Sequence, residues 1–179
     1  MPYFWGNSHS LVPSESAYTE MKLSVIVSIA AALFASAAAA PFEERSGTPL
    51  TQAQAEARLK PQGITASSSG GCTTKSNSRC TSYEGILSGT IDGVITLKKA
   101  AGVSSLVITG GTEVGHSTSG TFSHANGYKV DVRHSAQLDN YIKSTFTKIA
   151  NRGDGFPQWR AASGNLYCDE GSHWDITYF

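Results

Sequence analysis

Ser123-His124-Ala125-Asn126-Gly127-Tyr128-Lys129-Val130-Asp131 is the stretch from which the architecture is read. Asn-Gly between extended segments is the strongest short-range signal for a two-residue hairpin turn. With Ala125 facing Tyr128, His124 faces Lys129 and Phe122 faces Asp131, so His124 and Asp131 fall diagonally on one face of a sheet. Diagonal neighbours have Cβ atoms roughly 7 Å apart, a separation that an imidazole and a carboxylate can close around one metal ion. The competing reading makes His124 and Asp131 a hydrogen-bonded surface pair.

Toward the C-terminus, Leu138, Tyr141, Ile142, Phe146 and Ile149 recur at helical spacing after Ser135, and Asn151-Arg152-Gly153 breaks the pattern. Gln158–Ala162 and Leu166–Cys168 are expected to pair around Ser163-Gly164-Asn165, and His173–Tyr178 alternates polar with apolar as a half-buried strand does. Toward the N-terminus, the β-branched run Ser105–Thr109 reads as a core strand ended by Gly110-Gly111. A helix is expected over Ile91–Ala101, with Thr90 as its cap, Asp92 at its positive end, Lys98 and Lys99 at its negative end and Gly102 as its stop. Thr51 caps a shorter helix, Gln52–Leu59, that Pro61 and Gly63 terminate. Together these elements predict an α+β fold, a small antiparallel sheet with helices packed on it.

The chain has 179 residues, with 14 basic and 14 acidic side chains and a formal charge of zero. No broad field is available to attract nucleic acid or an anionic membrane, so charge-dependent chemistry has to be local. From Met21 a basic start, an apolar stretch and an Ala-rich tail precede Pro41, the pattern of a secretory signal peptide over residues 21–40. Residues 1–20 then read as an upstream extension, 41–66 as a flexible leader with a short helix, and 67–179 as the functional domain, secreted and monomeric by default. Cys72 and Cys80 bracket a short polar loop that a disulfide closes in an oxidising compartment, which leaves Cys168 over, a buried thiol in the simplest case.

A catalytic metal needs a third protein ligand and a vacant position. Glu170-Gly171-Ser172-His173 offers a ligand in His173 and a base in Glu170, provided the chain turns at Gly171-Ser172 and brings both to one site. Zinc held by His124, Asp131 and His173, with Glu170 moving a proton between water and a leaving amine, is the chemistry this pattern predicts. A purely structural zinc site is a third reading, set behind the others because such sites usually have four cysteine-rich protein ligands and none of the three cysteines fits this cluster. His116, in a Gly-rich loop, and Ser123 are assigned supporting roles, and Asp175, on the same strand face as His173, is placed to orient a ligand. Trp174 and Tyr178 are expected to pack beneath the site, and His134 to be exposed at a helix start.

These residues resemble the zinc D-Ala-D-Ala carboxypeptidase and endolysin family of peptidoglycan peptidases, which shares its fold with the hedgehog signalling domain. The match comprises His124, Gly127 and Asp131, then Glu170 and His173, over about residues 104–179. The resemblance implies His124, Asp131 and His173 as zinc ligands, Glu170 as general base, and a cell-wall peptide as substrate. That family places an arginine ahead of its first ligand to hold a substrate carboxylate, where this chain has Gly110-Gly111-Thr112-Glu113. Arg133 and Arg160 are the candidates to take its place. A second class of function is a zinc-stabilised secreted binding or effector protein that keeps the fold without turnover.

Overall fold

A computed structural model describes residues 47–179. The upstream extension, the signal peptide and the start of the leader lie outside the described residues. Among the described residues the elements are β1 (Pro49–Leu50), α1 (Gln52–Leu59), β2 (Ile64–Ala66), β3 (Ile86–Leu87), α2 (Ser88–Ala101), β4 (Leu106–Gly110), β5 (Lys129–Arg133), α3 (Ala136–Thr145), β6 (Thr147–Ile149), β7 (Gln158–Arg160), β8 (Leu166–Asp169) and β9 (His173–Thr177).

The fold is mixed α and β, as expected, but its main sheet is neither small nor wholly antiparallel. It has seven strands in the order β2-β4-β5-β9-β8-β7-β6. β2 runs parallel to β4, the long connection through α2 allowing a crossover that a hairpin cannot make. β1 and β3 form a separate two-stranded ribbon, so Pro49–Leu50, read as leader, pairs with Ile86–Leu87.

The alternation of β5 and β9 sorts the two faces of the sheet. Val130, Val132, Trp174 and Ile176 are fully buried on one face, with Ile108 from β4 and Ile91, Val94 and Leu138 from the helices. α2 touches both α1 and α3. Lys129, Asp131, His173 and Asp175 occupy the opposite face, because successive strand residues point to opposite sides and Asp131 pairs with Asp175 across β5 and β9. Trp174 and Tyr178 do pack beneath that face, at 0% and 4% exposure.

The expected hairpin at Asn126-Gly127 does not form. Residues 123–128 make a turn in which Gly127 N–H donates to His124 O (2.9 Å) and Tyr128 N–H to Ser123 O (3.2 Å), and the segment before it carries no strand. The reason is competition for hydrogen-bonding edges. β5 is antiparallel to β4 on one side and to β9 on the other, so neither edge is left for a local partner. The turn instead docks on the start of α2, where Thr90 Oγ donates to Gly127 O at 2.7 Å.

That bond also moves a helix start. Thr90 was expected to cap α2, but α2 begins at Ser88, follows Leu87 without a side-chain cap, and ends as expected at Gly102. Asp92 pairs with Arg58 of α1 rather than with a helix end. α3 follows Ser135 as expected, with the Ser135 side chain as its cap, but stops at Thr145, and Thr147–Ile149 becomes edge strand β6. Phe146, counted with the helical stripe, lies at the C-cap and packs on Tyr141 and Tyr167. Other expectations hold: Thr51 caps α1, where Gln54 completes a capping box that was not foreseen, β7 and β8 pair, and Cys72 and Cys80 are disulfide-bonded while Cys168 is a buried thiol. No helix among the described residues is long and apolar enough to cross a membrane.

Candidate metal centre

Asp131 is the centre of the polar face. It is 6% exposed, midway along β5, and one of its oxygens, Oδ1, has no hydrogen-bond partner. His124 Nε2 stands 3.3 Å from that oxygen and His173 Nε2 3.5 Å. Its other oxygen, Oδ2, lies 3.6 Å from His116 Nδ1. Burial pushes the Asp131 carboxyl up, but the surrounding imidazoles of His124, His173 and His116 outweigh it and hold the group below the usual aspartate range.

Backbone irregularity makes room for this carboxylate. A register shift between Ile108 and Gly110 sets Gly110 opposite Asp131, and a Cβ at Gly110 would stand 2.3 Å from Asp131 Oδ2. A side chain there is therefore incompatible with the carboxylate's position.

His124 reaches the site from the 123–128 turn, in which Ser123 Oγ accepts from Asn126 N–H at 3.3 Å. Its Nδ1 lies 2.8 Å from Gly111 O. A carbonyl only accepts, so Nδ1 carries a hydrogen and Nε2 is the nitrogen turned to the space beside Asp131, where it bears a lone pair whenever the ring carries no second proton. Two electron-rich atoms then face each other unless a proton or a cation lies between them. A histidine with one nitrogen tied to a carbonyl and the other aimed at a carboxylate has the outer-shell arrangement of a metal ligand.

His116 is set in the same way by a carboxylate. Its Nε2 is 2.9 Å from Glu113 Oε1, and its ring stacks on His124 with centroids 4.0 Å apart and 15° between planes. Glu113 is buried and accepts from Ser82 N–H (2.6 Å) and Gly111 N–H (3.1 Å). Burial raises its carboxyl, but the His116 bond and these amides together bring it below the usual glutamate range. Glu113 in turn raises the His116 imidazole, against the effect of burial.

On the other wall, Glu170 N–H donates to His173 O (3.0 Å) and Gly171 takes a φ of 79°, closing the turn that the shared site requires. Glu170 Oε2 then lies 3.0 Å from His173 Nε2, while His173 Nδ1 meets Ser172 Oγ at 2.8 Å. Arg152 joins this wall, bonded to Glu170, to Asp154 and, at 2.8 Å, to Asp175 Oδ2. Lys129 Nζ also reaches Asp175 Oδ2 at 2.8 Å, and Asp175 Oδ1 lies 4.0 Å from His124 Nε2. Asp131 and Asp175 are direct cross-strand neighbours of like charge, an unfavourable pairing that these cations and imidazoles compensate.

Among the described residues, the His/Cys/Asp/Glu group whose donor atoms all lie within 4.8 Å of one another is His116, His124 and Asp131. His and carboxylate donors in that number can hold a metal ion. Of the expected set, His124 and Asp131 belong to this group and His173 does not, although its Nε2 stands 3.5 Å from Asp131 Oδ1; His116, expected only to support, takes its place. His124 and Asp131 are not a surface pair, since both are buried. The site opens into a cavity of about 540 Å³ lined by His116, Ser123, Arg152, Glu170 and Asp175 among others, a volume suited to a ligand of several residues' size.

Arg133 is elsewhere: exposed, with Nη2 bonded to Ser67 Oγ at 3.1 Å. Arg160 is exposed on β7. The arginine at the site is Arg152, and its sequence signal, Asn-Arg-Gly, reads only as a helix breaker. Glu113 was likewise hidden, as part of a Gly-rich segment. His134 is not free at its helix start either, for its Nδ1 lies 2.8 Å from Asp139 Oδ1. Set against models of known protein families, the curated proteins and the solved structures, the chain matches none of them.

Proposed function

We propose that this is a secreted zinc-dependent peptidase that hydrolyses an amide bond in bacterial cell-wall peptides. What supports it first is the buried, unsatisfied Asp131 Oδ1, facing His124 Nε2 and His173 Nε2 with Glu170 against His173. Imidazole and carboxylate donors suit zinc. Zinc held there by His124, Asp131 and His173 would supply Lewis acidity, which would polarise a carbonyl and make water a stronger acid.

The remaining steps belong to the chain. Glu170 takes a proton from the attacking water as the water oxygen bonds to the carbonyl carbon, then passes that proton to the amide nitrogen as the C–N bond breaks. A carboxylic acid and an amine leave, and Glu170 returns to its ionised form. Gly111 O keeps His124 in one tautomer, and Lys129 balances Asp175. The Cys72–Cys80 disulfide is in keeping with export. Peptide is the partner this cavity suits, the neutral chain offering nothing to nucleic acid.

One contact favours a second reading. Arg152 engages Glu170 directly, and a permanently neutralised base belongs to a binding or effector protein that holds metal without turnover. Zinc content after dialysis, followed by incubation with a peptide ending in D-Ala-D-Ala and with intact peptidoglycan, separates the two. For a peptidase, about one zinc per chain accompanies hydrolysis, His124→Ala loses the metal, and Glu170→Gln keeps it while the rate falls at least ~100-fold. Full zinc with no hydrolysis of either substrate would favour the binding protein. Folded protein that takes up no zinc would sink both.

A further inference from the structure

His116 is left over by the reaction just described, yet it is the histidine that the geometry groups with His124 and Asp131. We propose that the metal is shared by four protein ligands in two overlapping triples, His124–Asp131–His173 and His124–Asp131–His116, with Glu113 as the positioning residue for the second. The proposal rests on the metal-binding part of the function above.

The two oxygens of Asp131 serve different histidines. Oδ1 faces His124 and His173, and Oδ2 faces His116. Glu113 occupies His116 Nε2, which leaves Nδ1 as the nitrogen directed at Asp131. Glu113 is not a surface group that happens to be near. It is 3% exposed, and both its oxygens are engaged by backbone amides of Ser82 and Gly111, so the carboxylate–imidazole unit is held from behind as metal-ligating histidines are. The stack of His116 on His124 keeps both rings beside the same carboxylate.

The triples differ in what adjoins them. His173 brings Glu170, 3.0 Å from its Nε2, whereas His116 brings Glu113, whose oxygens are already bonded to amides and imidazole. Only the first triple carries a carboxylate placed for proton transfer. The second holds the ion without that base, so His116 secures the metal when His173 is displaced or engaged by Glu170.

Zinc affinity, measured by competition with a chromophoric chelator on the intact secreted chain, tests this without any substrate. His173→Ala and His116→Ala should each retain about one zinc per chain, bound at least ~10-fold more weakly, since losing even a partner behind a ligand costs that much, and the double variant should bind no zinc stoichiometrically. Glu113→Gln in the His173→Ala background should lower affinity in the same direction as His116→Ala does. Cobalt substitution supplies an independent readout, since removing a ligating imidazole from His116 shifts the visible d–d bands. Thermal melts in chelator identify any variant that fails to fold, and His116→Gln then replaces it.

If His173→Ala alone empties the site, or if His116→Ala changes neither affinity nor the cobalt spectrum in either background, the four-ligand arrangement is overturned. A His124→Ala variant that still binds one zinc overturns the metal centre as a whole, a different failure. Retained zinc in both single variants with loss in the double establishes the shared site.

Discussion

The two walls of the cavity are built differently. The wall from residues 111–127, though exposed over much of residues 114–122, holds its buried groups by backbone: His124 on Gly111 O and Glu113 on the amides of Ser82 and Gly111, with Val114 N–H on Lys75 O at 2.8 Å, beside the disulfide-closed loop. The wall from residues 152–173 is held by ion pairs among half-buried side chains, with His173 and Glu170 side chains 23% and 22% exposed against 6% for His124 and 3% for Glu113, His116 being the one of these first-wall groups that is as open. Buried hydrogen bonds to charged groups cost free energy when left unmade, whereas partly exposed ion pairs are screened by water and salt. In the proposed peptidase the labour divides accordingly, the first wall fixing ligands and the second presenting groups that can exchange partners with a substrate.

Breaking the first wall should have the larger effect. Gly110→Ala drives a methyl into Asp131 Oδ2, and displacement of that carboxylate should lower stability by roughly 1–3 kcal/mol and weaken zinc binding, read by chemical denaturation and chelator competition. Glu113→Gln keeps the shape but removes the charge that two amides and His116 address. The expected loss is about 1–3 kcal/mol in denaturant titrations, with metal removed so that stability alone is measured.

Acid should reveal the same wall. The carboxyls of Glu113 and Asp131 are both lowered in the folded protein, so their contribution is present above the ordinary carboxylate range and lost as pH falls through the lowered folded values. Metal-free protein should therefore hold its melting temperature down to about pH 4 and lose it steeply below. Glu113→Gln should flatten part of that slope.

The second wall should yield least. Arg152→Gln removes ion pairs to Asp154, Glu170 and Asp175, but partly exposed pairs contribute about 0–1 kcal/mol. Its stability change should be small and shrink further in high salt. A loss above ~3 kcal/mol, like that of a broken buried pair, would show that this wall is as rigid as the first.

How far the site was legible follows the same division. The turn at Gly171-Ser172 is written locally, because two residues with turn chemistry decide whether Glu170 and His173 meet. His124 and Asp131 were placed together by a hairpin that does not exist. They meet nonetheless, because the 123–128 turn is tied to α2 through Thr90 and to its own start through Ser123. Arg152 and Glu113 gave no signal, since an arginine in a breaker and a glutamate in a Gly-rich run acquire their roles only from partners distant in sequence.

Local sequence accounts for what neighbouring residues can decide: the Thr51 cap of α1, the Ser135 start of α3, the β7–β8 pairing, the Cys72–Cys80 bridge and the Glu170–His173 turn. Tertiary structure alone decided that β2 joins β4 in parallel, that β5 lies between β4 and β9, and that Thr147–Ile149 leaves the helix for the sheet edge. Strand edges are satisfied by whichever partner the whole chain brings, so local propensity for a hairpin or a longer helix yields where a distant strand completes the sheet. The candidate metal centre inherits both origins: a local turn brings Glu170 to His173, while the sheet sets Asp131 beside the strand that carries His173 and the packing of the 123–128 turn delivers His124.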